Sequence, residues 1–302
     1  MGLVGEAAVE LEFEFRGRPV VRDRALVMAV INRTPDSFYD RGAAFKEEAA
    51  RRAIAQAVAN GADIVDIGGV KAGNGAAVDV AEELARVMPT VEWARREYPE
   101  LVISVDTWRA EVGRAVCEAG ADLLNDSWAG ADPRLLEVAA EFQAGYVCSH
   151  TGGLPPRTDP FRPRYPDLLG QVITSLVTSA EKAVRHGVPR KAVLIDPTHD
   201  FGKNTWHSLA LLRHTDQLVA TGWPVLMALS NKDFIGETLG TDVTERREGT
   251  LASIVTAAAA GAAVFRVHDV RMARTVIDTV SLIRNAGDYP PDENVGLRRR
   301  VI

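Results

Sequence analysis

Eight short, unbroken apolar runs, each followed by a longer stretch with helical spacing, set the pattern of the chain from residue 26 onward. The runs at 26–31, 63–69, 101–106, 122–126, 145–150, 192–196, 224–229 and 263–268 are too short for buried helices and read as strands. Helices are predicted at 47–60, 80–98, 109–119, 133–142, 167–186, 206–220, 245–260 and 271–283, with Gly61 as the C-terminal cap of the first and Asp167 as the N-terminal cap of the fifth. Continuously apolar strands, unlike alternating ones, belong to a parallel sheet that is covered outside. Eight such repeats close into a ring, so the predicted fold is α/β, a (β/α)8 TIM barrel. Ahead of it, 9–15 alternates apolar and acidic residues before a turn at 16–19 and Val20-Val21, which predicts a short β-hairpin at about 9–21. The chain therefore reads as a single domain over 1–302, with the barrel at about 26–284 and a tail at 285–302.

Composition narrows the function classes. Of 302 residues, 46% are hydrophobic and 25% charged, which suits a soluble protein with a sizeable core. A formal net charge of -6 argues against a nucleic-acid surface, and the one basic cluster, 298–300, reads as tail. No apolar run approaches the roughly twenty residues of a membrane span, and the start is not a signal peptide, so no membrane association and a cytoplasmic location are expected. Cys117 and Cys148 each lie in an apolar run and read as buried thiols.

The candidate chemistry sits where strands end. These ends carry Asn32, Asp66, Asp106, Asn125 with Asp126, His150, Asp196, Ser230 and Arg266 to His268, on the side where such barrels keep their sites. After Asn32 the loop to residue 42 offers Asp36, Ser37, Asp40 and Gly42 for a pyrophosphate or a metal. Asp106, Asn125, Asp196 and Lys232 are expected to converge on one pocket whose donors and acceptors suit a flat, nitrogen-rich heterocycle. Singly, each Asp or Asn is as well explained as a helix cap. Arg266 and His268, two apart on one strand, share a face and form an anion site opposite Asn32, able to hold a pyrophosphate or its Mg²⁺ complex. The plainer alternative pairs Arg266 with a barrel carboxylate and makes His268 structural. Gly202-Lys203 lacks Walker spacing, Cys148 beside His150 reads as a core thiol, Asp63 points away from Asp66, and His186, His207 and His214 read as surface.

From Leu26 to Val280 the chain resembles dihydropteroate synthase, the folate-pathway transferase. The matching stretches are Asn32 with 34–38, 66–69, 104–107, Asn125-Asp126, Asp196-Pro197, 201–203, Ser230 with Lys232, and 266–270. The resemblance implies that Asp106, Asn125, Asp196 and Lys232 hold a pterin. Asn32, Arg266 and His268 then receive a pyrophosphate, Mg²⁺ is bound at Asn32, and Lys232, Arg266 and His268 are catalytic. It also implies a homodimer, and a reaction that displaces pyrophosphate from a hydroxymethyl-dihydropterin and joins the methylene to the amine of p-aminobenzoate.

The departures fall in the loops. Where the family continues Asp-Ile-Gly-Gly with Glu-Ser-Thr-Arg-Pro-Gly, this chain has Val70-Lys71-Ala72-Gly73-Asn74-Gly75, so the substrate-contacting threonine and arginine fall on Ala72 and Gly73. Arg33, Thr198, Asp200, Asn231 and Ser149 are further departures. The chain is most similar to the divergent second-copy branch of the family found beside a true synthase in actinobacteria. That likeness implies weak or no turnover and a pocket kept for a pterin, a p-aminobenzoate analogue or a sulfonamide-like ligand. The alternatives are a working synthase using Lys71, Arg33 or Arg41, a methyltetrahydrofolate-binding methyltransferase barrel, and a non-catalytic module acting through a partner.

Overall fold

The structure is a computed structural model that describes residues 11–35, 44–73, 75–158 and 164–284. It opens with an antiparallel pair, β1 (Leu11–Phe15) and β2 (Arg18–Arg22). Arg16 and Gly17, at φ 52° and 72°, make the two-residue turn whose twist suits a hairpin. Alternation along β1 turns Phe13 and Phe15 to one side, where both are buried with ring centroids 5.8 Å apart. They close the floor of the barrel. A Cβ on Gly145 would stand 2.6 Å from the Phe15 ring, so only glycine admits this contact. The Arg16 guanidinium ties the turn to the floor through the Cys117 and Ala121 carbonyls, at 2.8 and 3.1 Å. Residues 9 and 10 of the predicted hairpin lie outside the described residues.

Eight parallel strands follow: β3 (Leu26–Asn32), β4 (Ile64–Gly68), β5 (Val102–Asp106), β6 (Leu123–Asp126), β7 (Gly145–Ser149), β8 (Val193–Asp196), β9 (Leu226–Met227) and β10 (Val264–Val267). Their order is β8-β7-β6-β5-β4-β3-β10-β9, and a parallel bridge from Ile195 to Val225 closes the ring. The helices between them are α1 (Glu47–Ala59), α2 (Val80–Glu97), α3 (Ala110–Glu118), α4 (Arg134–Glu141), α5 (Leu168–Arg185), α6 (Thr205–Arg213), α7 (Thr215–Val219), α8 (Asp233–Leu239) and α9 (Arg247–Ala259), and α10 (Val270–Arg284) ends the described chain. The fold is a (β/α)8 TIM barrel with an N-terminal hairpin. Each helix buries one stripe on the sheet, such as Ala50, Ile54 and Ala57 of α1 or Val87, Val91 and Ala94 of α2. Asp167 caps α5 by accepting from the Gly170 amide at 3.0 Å.

Three elements differ from the sequence pattern. The helix predicted at 206–220 breaks at His214, where the Thr215 hydroxyl donates to the Leu212 carbonyl at 2.7 Å and competes with the helical ladder. The strand predicted at 224–229 is laddered only at Leu226–Met227. The stretch after it contains α8, too short for its periodicity to stand out, ended by Gly240 at φ 67°.

Carboxylates brace the floor. Asp63 accepts from Val27 N at 2.9 Å, Arg274 at 3.0 Å and Arg22 at 3.2 Å, and it stands at the end of the barrel away from the strand C-termini. Asp122, buried, accepts from Ile103 N at 2.9 Å and pairs with both Arg18 and Arg95. Asp122→Ala leaves the buried Ile103 amide without its acceptor and removes the carboxylate shared by Arg18 and Arg95, which keep carbonyl partners, and a stability loss of about 2–3 kcal/mol is expected. A guanidinium chloride midpoint shifted by less than a tenth would refute this. Cys117 and Cys148 are buried and unbridged, and burial raises both thiols, Cys117 to about 12. Among the described residues no helix is long and apolar enough to cross a membrane.

Candidate active site at the C-terminal mouth of the barrel

Parallel strands deliver their last residues to one end, and there a cavity of about 270 Å³ opens. Six of the seven expected site residues line it: Asp106, Asn125, Asp196, Lys232, Arg266 and His268. Asn32 does not. It is the last residue of β3, half-buried, and outside the described lining. Nor does it face Arg266 and His268 across the mouth, because β10 is hydrogen-bonded directly to β3, with Arg266 opposite Met28. Closing a ring of eight strands makes the first and the last neighbours, so the opposition expected between Asn32 and the Arg266–His268 pair does not hold.

The centre is a carboxylate that carried no assigned role in the sequence. Asp66, on β4 and fully buried, accepts from Ser104 Oγ at 2.6 Å, Asn125 Nδ2 at 3.0 Å and Arg266 Nε at 2.7 Å. Arg266 Nη2 donates to Asp106 Oδ2 at 3.0 Å, and Ser127 Oγ to Asp106 Oδ1 at 2.6 Å. Thus β4, β5, β6 and β10 are joined by one polar network. The plainer alternative for Arg266, pairing with barrel carboxylates, is realised while its side chain still lines the cavity. Burial opposes its charge, but Asp66 and Asp106 outweigh that and raise its pKa. Burial pushes Asp106 up to about 6, with Asp66 adding to the rise and Arg266 and Ser127 opposing it.

Asp196 ends β8 and accepts from the Thr198 amide at 2.7 Å. Burial raises its pKa against the pull of Thr198, Lys232 and Lys203. The Lys232 ammonium lies 4.5 Å from the centre of the Phe201 ring and donates to the His199 carbonyl at 3.1 Å. Burial lowers its pKa, and Asp200 and Asp196 hold it partly up. Phe201 meets Trp128 edge to face at 5.2 Å, and both line the cavity, giving a flat ring aromatic walls between polar groups. His268, by contrast, is no cation: burial, then Arg266 and Lys232, depress it to about 3, and its Nδ1 lies 3.1 Å from Ser230 Oγ.

The loops carry their departures into the geometry. Thr198, Asp200 and Asn231 sit at φ 53°, 70° and 57°, a region glycine enters freely and a β-branched residue rarely does. Thr198 is held there by its hydroxyl, which donates to the Asp196 carbonyl at 2.9 Å and accepts from His150 N at 3.2 Å. Lys203 is a strut. Its buried ammonium donates to the carbonyls of His150, Phe201 and Thr198 at 2.6, 2.9 and 3.1 Å, and burial lowers it to about 7. His207, expected at the surface, is half-buried and completes a capping box with Asn204.

Lys71, Ala72 and Gly73 form one rim of the cavity, and Leu154 and Thr158 another. Arg157 clasps the two loops through the Gly73 and Ala76 carbonyls, at 3.3 and 2.8 Å. Arg33, one of the cations proposed to replace the missing loop arginine, points elsewhere: its guanidinium donates to the carbonyls of Arg86, Ala44 and Phe45 and does not line the cavity. Asp36, Ser37, Phe38, Asp40, Arg41, Gly42 and Asn74 lie outside the described residues.

The pterin binding enzyme family matches residues 28–268. A Mycobacterium leprae protein, inactive dihydropteroate synthase 2, is 61% identical over 92% of this chain and 97% of its own length. The Yersinia pestis dihydropteroate synthase, solved with a sulfonamide drug complex, is 33% identical with a TM-score of 0.86, covering 91% of this chain and 99% of that one. The Xanthomonas albilineans dihydropteroate synthase, solved with 4-aminobenzoic acid, is 36% identical with a TM-score of 0.82, covering 93% and 100%. Sequence and barrel agree, and the chain belongs to the dihydropteroate synthase family of pterin-binding enzymes.

Proposed function

We infer that this protein binds a pterin in the barrel mouth and turns over the synthase reaction weakly or not at all. One observation carries the reading: Asp106, Asn125, Asp196 and Lys232 converge on the cavity, while the rim where the family presents threonine and arginine holds Ala72 and Gly73. Asn125 and the carboxylates of Asp106 and Asp196 meet the ring's N–H and amino groups, and Lys232 donates to its acceptor atoms. Trp128 and Phe201 hold its plane.

The family's reaction breaks the methylene–oxygen bond, sends the electron pair to the diphosphate and captures the methylene with an arylamine that then loses a proton. Leaving-group departure needs preorganised positive charge. Here Arg266 is shared with two carboxylates, His268 is neutral, and the rim contributes no guanidinium from Ala72 or Gly73. Two lost transition-state contacts of this kind slow turnover by roughly 10⁴-fold or more. Mg²⁺, in this reading, enters with the diphosphate. Among the described residues no three His, Cys, Asp or Glu side chains form a metal cluster, and Asn32 lies outside the cavity lining, so it would supply at most a single amide oxygen and the phosphate the rest. The ion would neutralise charge on the leaving group.

One observation favours a second reading, a working synthase: Lys71 itself lines the cavity. Calorimetric titration with hydroxymethyl-dihydropterin pyrophosphate and Mg²⁺, followed by addition of p-aminobenzoate, separates the two. Binding without product is expected; dihydropteroate formed at ordinary synthase rates would establish the second reading. A homodimer is also proposed, supported by Leu282 and Ile283 on α10 and Val255 on the adjoining α9, all exposed. A cytoplasmic location is supported by the two free thiols.

A further inference from the structure

Asp66 is buried and stands outside the cavity lining, so it meets no ligand itself. In the ladder between β4 and β5 it lies directly opposite Ser104, whose hydroxyl donates to it at 2.6 Å. Asp106, two residues beyond Ser104 on the same face of β5, does line the cavity, which places Asp66 one layer of side chains below the floor. From there it reaches two residues that do line the cavity. Its Oδ2 accepts from Asn125 Nδ2 at 3.0 Å and from Arg266 Nε at 2.7 Å. The first of these contacts decides which way the Asn125 amide points. Turned over, Asn125 would set its Oδ1 against a carboxylate oxygen, acceptor on acceptor. With Nδ2 held at Asp66, Oδ1 is left for the cavity, and among the described residues nothing donates to it. The flanking strand ends are of the same kind, since Asp106 and Asp196 bring carboxylates to the same cavity. Strands β5, β6 and β8 therefore all turn acceptors toward a bound ring.

We propose that Asp66 is a positioning residue that sets the specificity of the cavity. By fixing the Asn125 amide it makes an acceptor of the one group on these three strand ends that could have been either. The cavity then selects a ring that carries an amino group over one that carries a carbonyl at the same place. Whichever of the three acceptors meets that substituent, an amino group donates to it and a carbonyl opposes it. A site built to receive N–H groups rejects the analogue without them far more strongly than an apolar pocket rejects a change of shape. The proposal rests on the pterin-binding reading and names the residue that enforces recognition of the ring's amino group.

The test is calorimetric titration of the full chain with pterin and with lumazine, pteridines of one shape that carry an amino group and a carbonyl, respectively, at the same ring position. Pterin is expected to bind about a hundredfold more tightly. Asp66→Ala frees the Asn125 amide to turn and should shrink that ratio about tenfold, by weakening pterin and strengthening lumazine. A purely structural defect would weaken both compounds alike and leave the ratio where it was. Asp66→Ser keeps a hydroxyl for one donor and is too short to hold both, so it should act as the alanine does and guards against an alanine variant that fails to fold. Asp66→Asn should restore the ratio, because its carbonyl can accept from Asn125 and Arg266 while its amide donates to Ser104 Oγ. Equal affinity for pterin and lumazine in the unmodified chain, or a ratio unmoved in the alanine and serine variants, overturns the proposal and leaves the pterin reading in place. Absence of pterin binding to the unmodified chain overturns both.

Discussion

Arg266→Ala is expected to lower stability by about 3–5 kcal/mol at pH 8, with a smaller loss at pH 5. The guanidinium is ion-paired with both Asp66 and Asp106, and removing it strands two carboxylates inside the barrel. The pH dependence follows from Asp106, held at about 6 against an ordinary 3.8. A carboxyl whose folded pKa is raised binds its proton more tightly when folded. Its neutral form favours folding below 3.8, and that advantage is lost as pH rises through about 6. Arg266 is among the groups that hold this value down, so its removal moves the upper limit of the window higher. The variant's deficit relative to the unmodified chain should therefore grow by ~1–2 kcal/mol between pH 5 and pH 8. Subtracting the unmodified chain cancels the buried acids that Arg266 does not touch, and Asp196, which Arg266 also holds down, moves in the same direction as Asp106. Urea midpoints for both proteins at both pH values decide it, and a deficit equal at the two pH values would falsify the account. Arg266→Lys should rescue little, because one ammonium cannot reproduce a fork bonded to two carboxylates.

The second large effect belongs to Lys232. Lys232→Ala is expected to weaken binding of hydroxymethyl-dihydropterin pyrophosphate about 100-fold, the loss of one charge-assisted hydrogen bond to a ligand in a dry pocket. It also removes the cation over Phe201 and exposes Asp196 and Asp200 to each other without it. Stability should fall by no more than ~1–2 kcal/mol, since Asp196 and Asp200 keep their backbone amide donors. Isothermal titration beside a denaturation curve separates binding from folding. A dissociation constant changed by less than threefold in a folded variant would remove Lys232 from the ligand site.

Much of the site was legible because a parallel barrel converts position along a strand into position in space. Asp106, Asn125, Asp196, Arg266 and His268 lie within one residue of the ends of their strands, and all line the cavity. Asn32 also ends its strand and does not, which marks the limit of that rule. Asp66 was visible as a strand-end acid, but its importance lies in Arg266, 200 residues away, and no local pattern pairs them. Lys203 read as a fragment of a phosphate loop, and only its three carbonyl partners show a strut. Trp128 and Phe201 are single aromatics on loops, with no periodicity to announce that they meet.

The sequence by itself determined the alternation of strand and helix, the barrel and its polar mouth, because hydrophobic period and strand length are local properties that the backbone reads directly. The tertiary structure alone decided which charges meet and which are neutral. Side-chain packing at the mouth delivered Arg266 to two acids and buried His268 beside two cations, which depresses its pKa to about 3. The physical reason is that protonation and pairing depend on burial and on distances of a few ångströms between residues far apart in the chain, and those exist only once the barrel is closed.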